Sequence, residues 1–421
     1  MNFEIDNLKI TLDKEGSPYY SKISYPLRFG KFKKIEIKDY VFYFNQNHEI
    51  KIIQGKNGAG HAPNEWIKRT AGGDFLYYSA AGYKGTFGFI GEYYLPCFPY
   101  SDNPIFNIYG YDNKIIRTAL NALETFFEDL TKLISRNIPN SLKKHLKEIV
   151  QNDLKALARR AGHFHKINSG YVSVLPPDAR HADYDVIPVN VADGCLYHCG
   201  FCSVKTKKTF KLRNKDTVLR QIKQLKTFYK EDISNYNSIF LGQHDALNAD
   251  SNTLIYAAKT AYKEFDIKHS NMKNPMLFMF GSIDSLIHSE KTLFDKLETL
   301  PFYTYINIGM ESYHQETLNL IKKPVTTKKV ETAFEKMLEI NKKYNSIEIT
   351  ANFVMGKELP DEHYNSILEL AAAKLEHPYS KGCFYISPLE NCGTTRYIQK
   401  KFFEIKNSNP ISSYIYLIQR L

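Results

Sequence analysis

After Asp185 the chain settles into a rhythm that leaves few folds open. The apolar run "VIPVNVA" precedes a helical pattern from Asp216 to Tyr229. "SIFLG" precedes one around Thr253 to Phe265, and "MLFMFGS" one around Ser289 to Leu300. "YTYINIGM" leads into helical segments from His314 to Tyr344, "IEITANFVMG" into a helix from Asp361 to Leu375, and "CFYISPL" into a helix from Thr394 to Phe403. The runs are almost continuously apolar, as strands buried on both faces are. Alternating strand and helix implies a parallel sheet. Six such units predict an α/β fold, a TIM-like partial (β/α)6 barrel, with chemistry at the C-terminal ends of its strands.

Upstream the pattern differs. Residues 1–112 are rich in Tyr, Phe and Gly, and stretches such as "KIEIKDYVFYF" and "HEIKIIQG" alternate apolar and polar residues. They predict a β-rich domain with tight turns. Residues 113–185 carry helical spacing in "IIRTALNALETFFEDLTKLISRNI" and again over Leu142 to Ala161. A connector follows, in which Pro176-Pro177 argues against a helix. The barrel is expected over residues 186–421.

Six cysteines among 421 residues do not make a disulfide scaffold, yet three of them crowd into "GCLYHCGFC". Cys195-x3-Cys199-x2-Cys202 directly follows the first barrel strand. Cuboidal iron–sulfur clusters usually take four thiolates, so three leave one iron open. An open position is what a catalytic metal needs and a structural one avoids. Gly194 and Gly200 suit a loop that wraps a cluster tightly. The alternatives are a four-ligand zinc or cluster site completed by a remote Cys or His, and three inert buried thiols. His198, inside the loop, is a candidate zinc ligand.

With Phe201 before the last cysteine, this motif resembles the radical S-adenosylmethionine superfamily. "IGMES" at the fourth strand is similar to a signature of its coproporphyrinogen-oxidase, elongator and methylthiotransferase types. The resemblance implies a [4Fe-4S] cluster on Cys195, Cys199 and Cys202 and S-adenosylmethionine chelated by the free iron. It implies reductive cleavage to a 5'-deoxyadenosyl radical that abstracts hydrogen from a substrate. Phe201 would lie beside the adenine. The second strand ends in "FLGQHDAL", where Gly242, Gln243 and Asp245 take the place of a Gly-Gly-Glu type motif, and Asp245 would bind the cofactor's ammonium. Glu311 would hold the ribose or methionyl end with Ser312 in support. Asn352 and Met355 would pack on adenine. His244, Ser282 and Asp284 are further residues at strand ends, Asp284 also being a candidate helix N-cap.

The resemblance leaves the substrate open: a small molecule, a peptide or a tRNA. It implies an electron donor such as flavodoxin or ferredoxin. The alternatives are a non-enzymatic iron–sulfur or zinc protein, and a nucleic-acid-binding or tRNA-modifying protein drawing on the net charge of +11. No secretory signal and no membrane-length apolar run is evident, so a cytoplasmic location is expected. Cys97, Cys383 and Cys392 lack cluster-like spacing. "GKNGAGHAP" lacks the end of a phosphate loop, and Trp66 is expected to pack. His163, His165 and His181 show no tight ligand spacing.

Overall fold

The computed structural model describes residues 1–20, 28–56, 65–79, 94–96, 114–202, 204, 208–374, 381–389, 395–416 and 418–421. Cys97, Cys392 and most of "GKNGAGHAP" lie outside them.

The aromatic N-terminal part forms one antiparallel meander of eight strands among the described residues. They are β1 (Asn2–Ile5), β2 (Leu8–Glu15), β3 (Lys31–Glu36), β4 (Tyr40–Phe44), β5 (Ile50–Gly55), β6 (Glu65–Arg69), β7 (Phe75–Ser79) and β8 (Tyr94–Pro96). Three helices follow: α1 (Lys114–Ile134), α2 (Asn140–Gln151) and α3 (Leu154–Ile167). The helical run expected over Leu142 to Ala161 is therefore two helices. Asp153 breaks it, because its side chain accepts a hydrogen bond from Ala156 N (2.7 Å) and caps a new N-terminus.

Helices α1 and α2 do not stand apart from the sheet. Phe126, Leu130, Leu142, Leu146 and Ile149 share one core with Ile35, Phe42, Phe44 and Ile53. Buried Trp66 and Leu76 belong instead to the core of the barrel. Lys68 donates to Asp183 (3.0 Å), and Lys51 to Asp185 (2.7 Å), so the sheet is clamped to the chain entering the barrel.

The barrel sheet is parallel throughout, in the order β17-β16-β15-β14-β13-β12-β9. Its strands are β9 (Ile187–Asn190), β12 (Ser238–Gly242), β13 (Met276–Gly281), β14 (Tyr303–Glu311), β15 (Ile347–Met355), β16 (Phe384–Pro388) and β17 (Ser413–Ile415). A small hairpin, β10 (Ala192–Asp193) with β11 (Lys211–Leu212), interrupts the first unit. The outer helices are α4 (Lys215–Tyr229), α5 (Ser251–Glu264), α6 (Ile283–His288), α7 (Lys291–Glu298), α8 (Gln315–Leu320), α9 (Thr327–Lys343), α10 (Asp361–Lys374) and α11 (Thr395–Ser408).

The sheet thus has seven strands where the sequence pattern predicts six. The seventh is only three residues long, too short for an apolar run to announce it. The connector also departs from expectation. Pro177 opens a six-residue 3-10 turn, Pro177–Ala182, because proline is tolerated at a first helical position. From that turn buried Asp178 accepts hydrogen bonds from Thr350 Oγ1 (2.7 Å) and Tyr385 Oη (2.8 Å), which fixes it against β15 and β16. His181 stacks on Tyr305 with centroids 4.7 Å apart. His165 lies on α3, its Nε2 3.2 Å from Gly72 O, and His163 is exposed.

Candidate active site

The cysteine loop is pinched at its neck. Hairpin β10–β11 closes it, and Arg213 grips Asp193 through two hydrogen bonds of 2.9 and 2.6 Å. Gly194 holds φ +81°, and a Cβ there would meet Thr209 O at 2.2 Å, so the close crossing of the two strands requires glycine. Gly200 has no such conformation, and the nearest atoms a Cβ there would meet are Cδ (2.9 Å) and Cβ (3.0 Å) of the Lys322 side chain. At the loop's crown, Tyr197 Oη donates to Asp284 Oδ2. Asp284 also takes Lys329 Nζ at 2.7 Å. Asp284 is therefore not the N-cap of α6; Ser282 is, in a reciprocal capping box with Ser285.

Cys195, Cys199 and Cys202 line a cavity of about 200 Å³ at the C-terminal ends of the barrel strands. Phe201, His244, Asp245, Ser282, Glu311 and Asn352 line it too. Residues not singled out from the sequence also reach it: Gly281, Gly309, Lys323 and an apolar wall of Val174, Phe280, Val354, Leu389, Tyr416 and Ile418. Burial raises all three thiols, Cys202 to about 11. Left alone they stay protonated at neutral pH; a bound metal takes the place of those protons.

Asp245 is buried, and its Oδ1 accepts from Ser282 N at 2.9 Å. Its Oδ2 is buried without a hydrogen-bond partner among the described residues. Burial pushes this carboxyl above the usual range. A buried carboxylate oxygen with no donor is costly unless a ligand supplies one. The second carboxylate, Glu311, is aimed by its backbone. The register of β14 against β15 shifts between Gly309 and Glu311, and Glu311 holds φ +66°. That left-handed residue is strained and turns the last side chain of the strand inward, onto Lys323 Nζ at 3.3 Å. Gly309 leaves room for it, since a Cβ there would meet Glu311 Oε1 at 2.5 Å.

Strand alternation decides the fifth strand. Asn352 and Val354 face the cavity, whereas Met355 points away into the fully buried core. Asn352 is oriented from below: its Nδ2 donates to Asn307 Oδ1 (2.7 Å), and Asn307 Nδ2 donates to Thr350 Oγ1 (2.9 Å). Ser312 is buried beside the cavity rather than in its lining. It lies 2.8 Å from Nδ1 of buried His363, whose Nε2 is 2.9 Å from Val354 O. Gln243 turns the other way, lining a separate polar pocket and donating to Tyr171 O (3.4 Å). Gly242 sits against Asn190, where a Cβ would meet Oδ1 at 2.8 Å. His198 is exposed and outside the cavity lining, and Cys383 is buried in another cluster.

The donor set fits the implied group. Three thiols come from one loop, no fourth Cys reaches the cavity among the described residues, and Asp245, which holds a buried oxygen without a hydrogen-bond partner, lines the same cavity. A parallel partial barrel with a three-thiol loop and acidic groups at its strand ends defines a class of cluster-dependent barrel. Residues 189–371 match the Radical SAM superfamily. The superfamily works with a [4Fe-4S] cluster and S-adenosylmethionine.

No curated protein matches the chain. Similar solved structures include a radical SAM methyltransferase from Sphaerobacter thermophilus, at 11% identity and TM-score 0.39, covering 55% of this chain and 66% of that one. Another is the cobalamin-dependent S-adenosylmethionine radical enzyme OxsB, at 14% identity and TM-score 0.34, covering 53% and 31%. A third is Streptococcus suis SuiB, at 11% identity and TM-score 0.35, covering 84% and 71%. The chain thus spans just under two thirds of the methyltransferase and under a third of OxsB. No helix among the described residues is long and apolar enough to cross a membrane.

Proposed function

We propose that the protein is a radical S-adenosylmethionine enzyme. The observation that carries this reading is the convergence of three cysteines, Asp245 and Glu311 on one cavity at the strand ends. Cys195, Cys199 and Cys202 would hold a [4Fe-4S] cluster. With S-adenosylmethionine, a reduced cluster supplies a one-electron cleavage that yields methionine and a 5'-deoxyadenosyl radical.

The chain's own contribution is to bind, orient and exclude. Asp245 Oδ2 is suited to accept from the cofactor's ammonium, where a charge-assisted hydrogen bond in a buried site is strong. Glu311, steadied by Lys323, is suited to hydroxyl groups of the ribose. Asn352, held by Asn307, presents a polar edge beside Val354, and Phe201 lies at the cysteine end. Val174, Phe280, Leu389, Tyr416 and Ile418 form an apolar wall that keeps water from a reactive radical. The substrate enters against that wall. An electron donor, a flavodoxin or ferredoxin, approaches the cluster loop from outside, where Leu196 and His198 are exposed.

The test is anaerobic. Cluster-reconstituted protein is reduced with a low-potential reductant, given S-adenosylmethionine, and assayed for 5'-deoxyadenosine. Its formation, and its loss in Cys199→Ala, support the proposal. An intact cluster with no 5'-deoxyadenosine would overturn it.

A further inference from the structure

Far from the cysteine loop, the N-terminal domain brings together two histidines and a glutamate. His48 sits at the tip of the β4–β5 turn, with φ +62°. His145 and Glu148 lie one turn apart on α2. His48 Nε2 is 3.0 Å from His145 Nδ1 and 3.0 Å from Glu148 Oε2, and His145 Nδ1 is 3.9 Å from Glu148 Oε2. We propose that these three side chains form a second metal site, for zinc or a similar late first-row divalent ion.

Three observations carry the proposal. The first is spacing. Two ligand atoms on a tetrahedral zinc with bonds of about 2.0–2.1 Å lie about 3.4 Å apart. The three separations of 3.0, 3.0 and 3.9 Å bracket that value.

The second is a conflict that hydrogen bonds alone do not resolve. One nitrogen, His48 Nε2, faces two groups. With a proton on it, Glu148 Oε2 and His145 Nδ1 compete for the same hydrogen. Without one, its lone pair opposes the carboxylate. A cation between the three atoms satisfies all of them.

The third is access. The side chains are 13%, 23% and 35% exposed, which leaves solvent a way in and a fourth position for water. Two imidazoles and one carboxylate suit zinc better than magnesium or calcium, which prefer oxygen.

The location gives the ion a task. The turn bearing His48 also docks onto the barrel. Asn45 Nδ2 donates to Asp232 Oδ2 (3.1 Å), Gln46 N to Asp232 Oδ1 (3.2 Å) and Asn47 Nδ2 to Tyr229 O (2.7 Å). A metal joining that turn to α2 staples the N-terminal sheet, its helix and the barrel at one point.

The test uses the full-length chain carrying Cys195→Ser, Cys199→Ser and Cys202→Ser, so that the cluster thiols do not compete. Titrated with Zn²⁺ it should bind one equivalent. Co²⁺ should give a tetrahedral visible spectrum without a sulfur-to-cobalt charge-transfer band. Adding His48→Ala or His145→Ala should weaken Zn²⁺ binding about tenfold or more, while far-ultraviolet circular dichroism stays that of the parent. Zn²⁺ should also raise the melting temperature of the parent and slow amide exchange over residues 45–49. The proposal is overturned if the parent shows no saturable Zn²⁺ binding. It is equally overturned by a thiolate band with Co²⁺, or by unchanged affinity in both histidine variants.

Discussion

Lys323 Nζ lies 3.3 Å from Glu311 Oε1, and the two side chains are only 4% and 11% exposed. The pair spans α8: Glu311 ends the strand before that helix and Lys323 follows it. Burial pushes the Glu311 carboxyl upward while Lys323 opposes the shift. Lys323 is the cation beside Glu311 that favours its charged form at the cavity wall.

Lys323→Met should therefore cost about 3–5 kcal/mol in urea unfolding, because it strands a buried charge. Adding Glu311→Gln should recover most of that loss. A double variant as unstable as the single one would contradict the pairing.

Asp245→Asn should leave iron content unchanged but weaken S-adenosylmethionine binding. The loss of one charge-assisted hydrogen bond corresponds to about 10–100-fold in affinity. Calorimetric titration of the reconstituted protein measures it, and equal affinities would remove Asp245 from the cofactor site.

The two glycines of the cysteine loop should respond differently. Gly194→Ala places a Cβ 2.2 Å from Thr209 O at a φ of +81°, where backbone has to move. Gly200→Ala, at an ordinary φ, meets the side chain of Lys322, 2.9 Å from its Cδ, which can swing away, and 3.0 Å from its Cβ, which needs only a shift of a few tenths of an ångström. Iron bound after reconstitution should fall sharply in the first variant and stay near the parent value in the second.

Asp178 gives a pH signature. Burial raises its carboxyl to about 6, against hydrogen bonds from Thr350 and Tyr385. The folded state therefore holds this proton more tightly than the unfolded chain, whose value is about 3.9. Its contribution is fully present below the unfolded value and is lost as pH rises toward about 6. Buried His363, held down at about 4, works oppositely and gains stability as pH rises through the same range. Asp178→Asn should thus shift stability in favour of pH 7 over pH 4 by roughly 2 kcal/mol relative to the parent. Denaturant melts at both values test this; parallel profiles would refute it.

Six barrel strands were legible because each is an apolar run long enough to stand out. β17, of three residues, was not. The break between α2 and α3 has a signal in Asp153, an N-cap residue inside an otherwise continuous helical pattern. In the site, the three cysteines stand out by their spacing, while Asp245 and Glu311 are singled out only through the resemblance of their motifs; all five line one cavity. Lys323 was not, since one lysine in "NLIKKP" looks like any other until the loop folds back. His363 was equally hidden: its partners, Ser312 and Val354 O, come from the ends of two different strands.

The sequence by itself determined what is local: the thiol spacing of one loop, the strand–helix alternation and hence the parallel sheet. Periodicity and turn chemistry act over a few residues, so they can be read along the chain. Only tertiary structure decided which strand-end side chains share the cavity. A register shift at Gly309 and Glu311 turns a carboxylate inward, and alternation sends Asn352 inside and Met355 out. Tertiary structure alone also brought His48 to His145 across 97 residues. Such contacts depend on how whole elements pack, and no neighbouring residue encodes them.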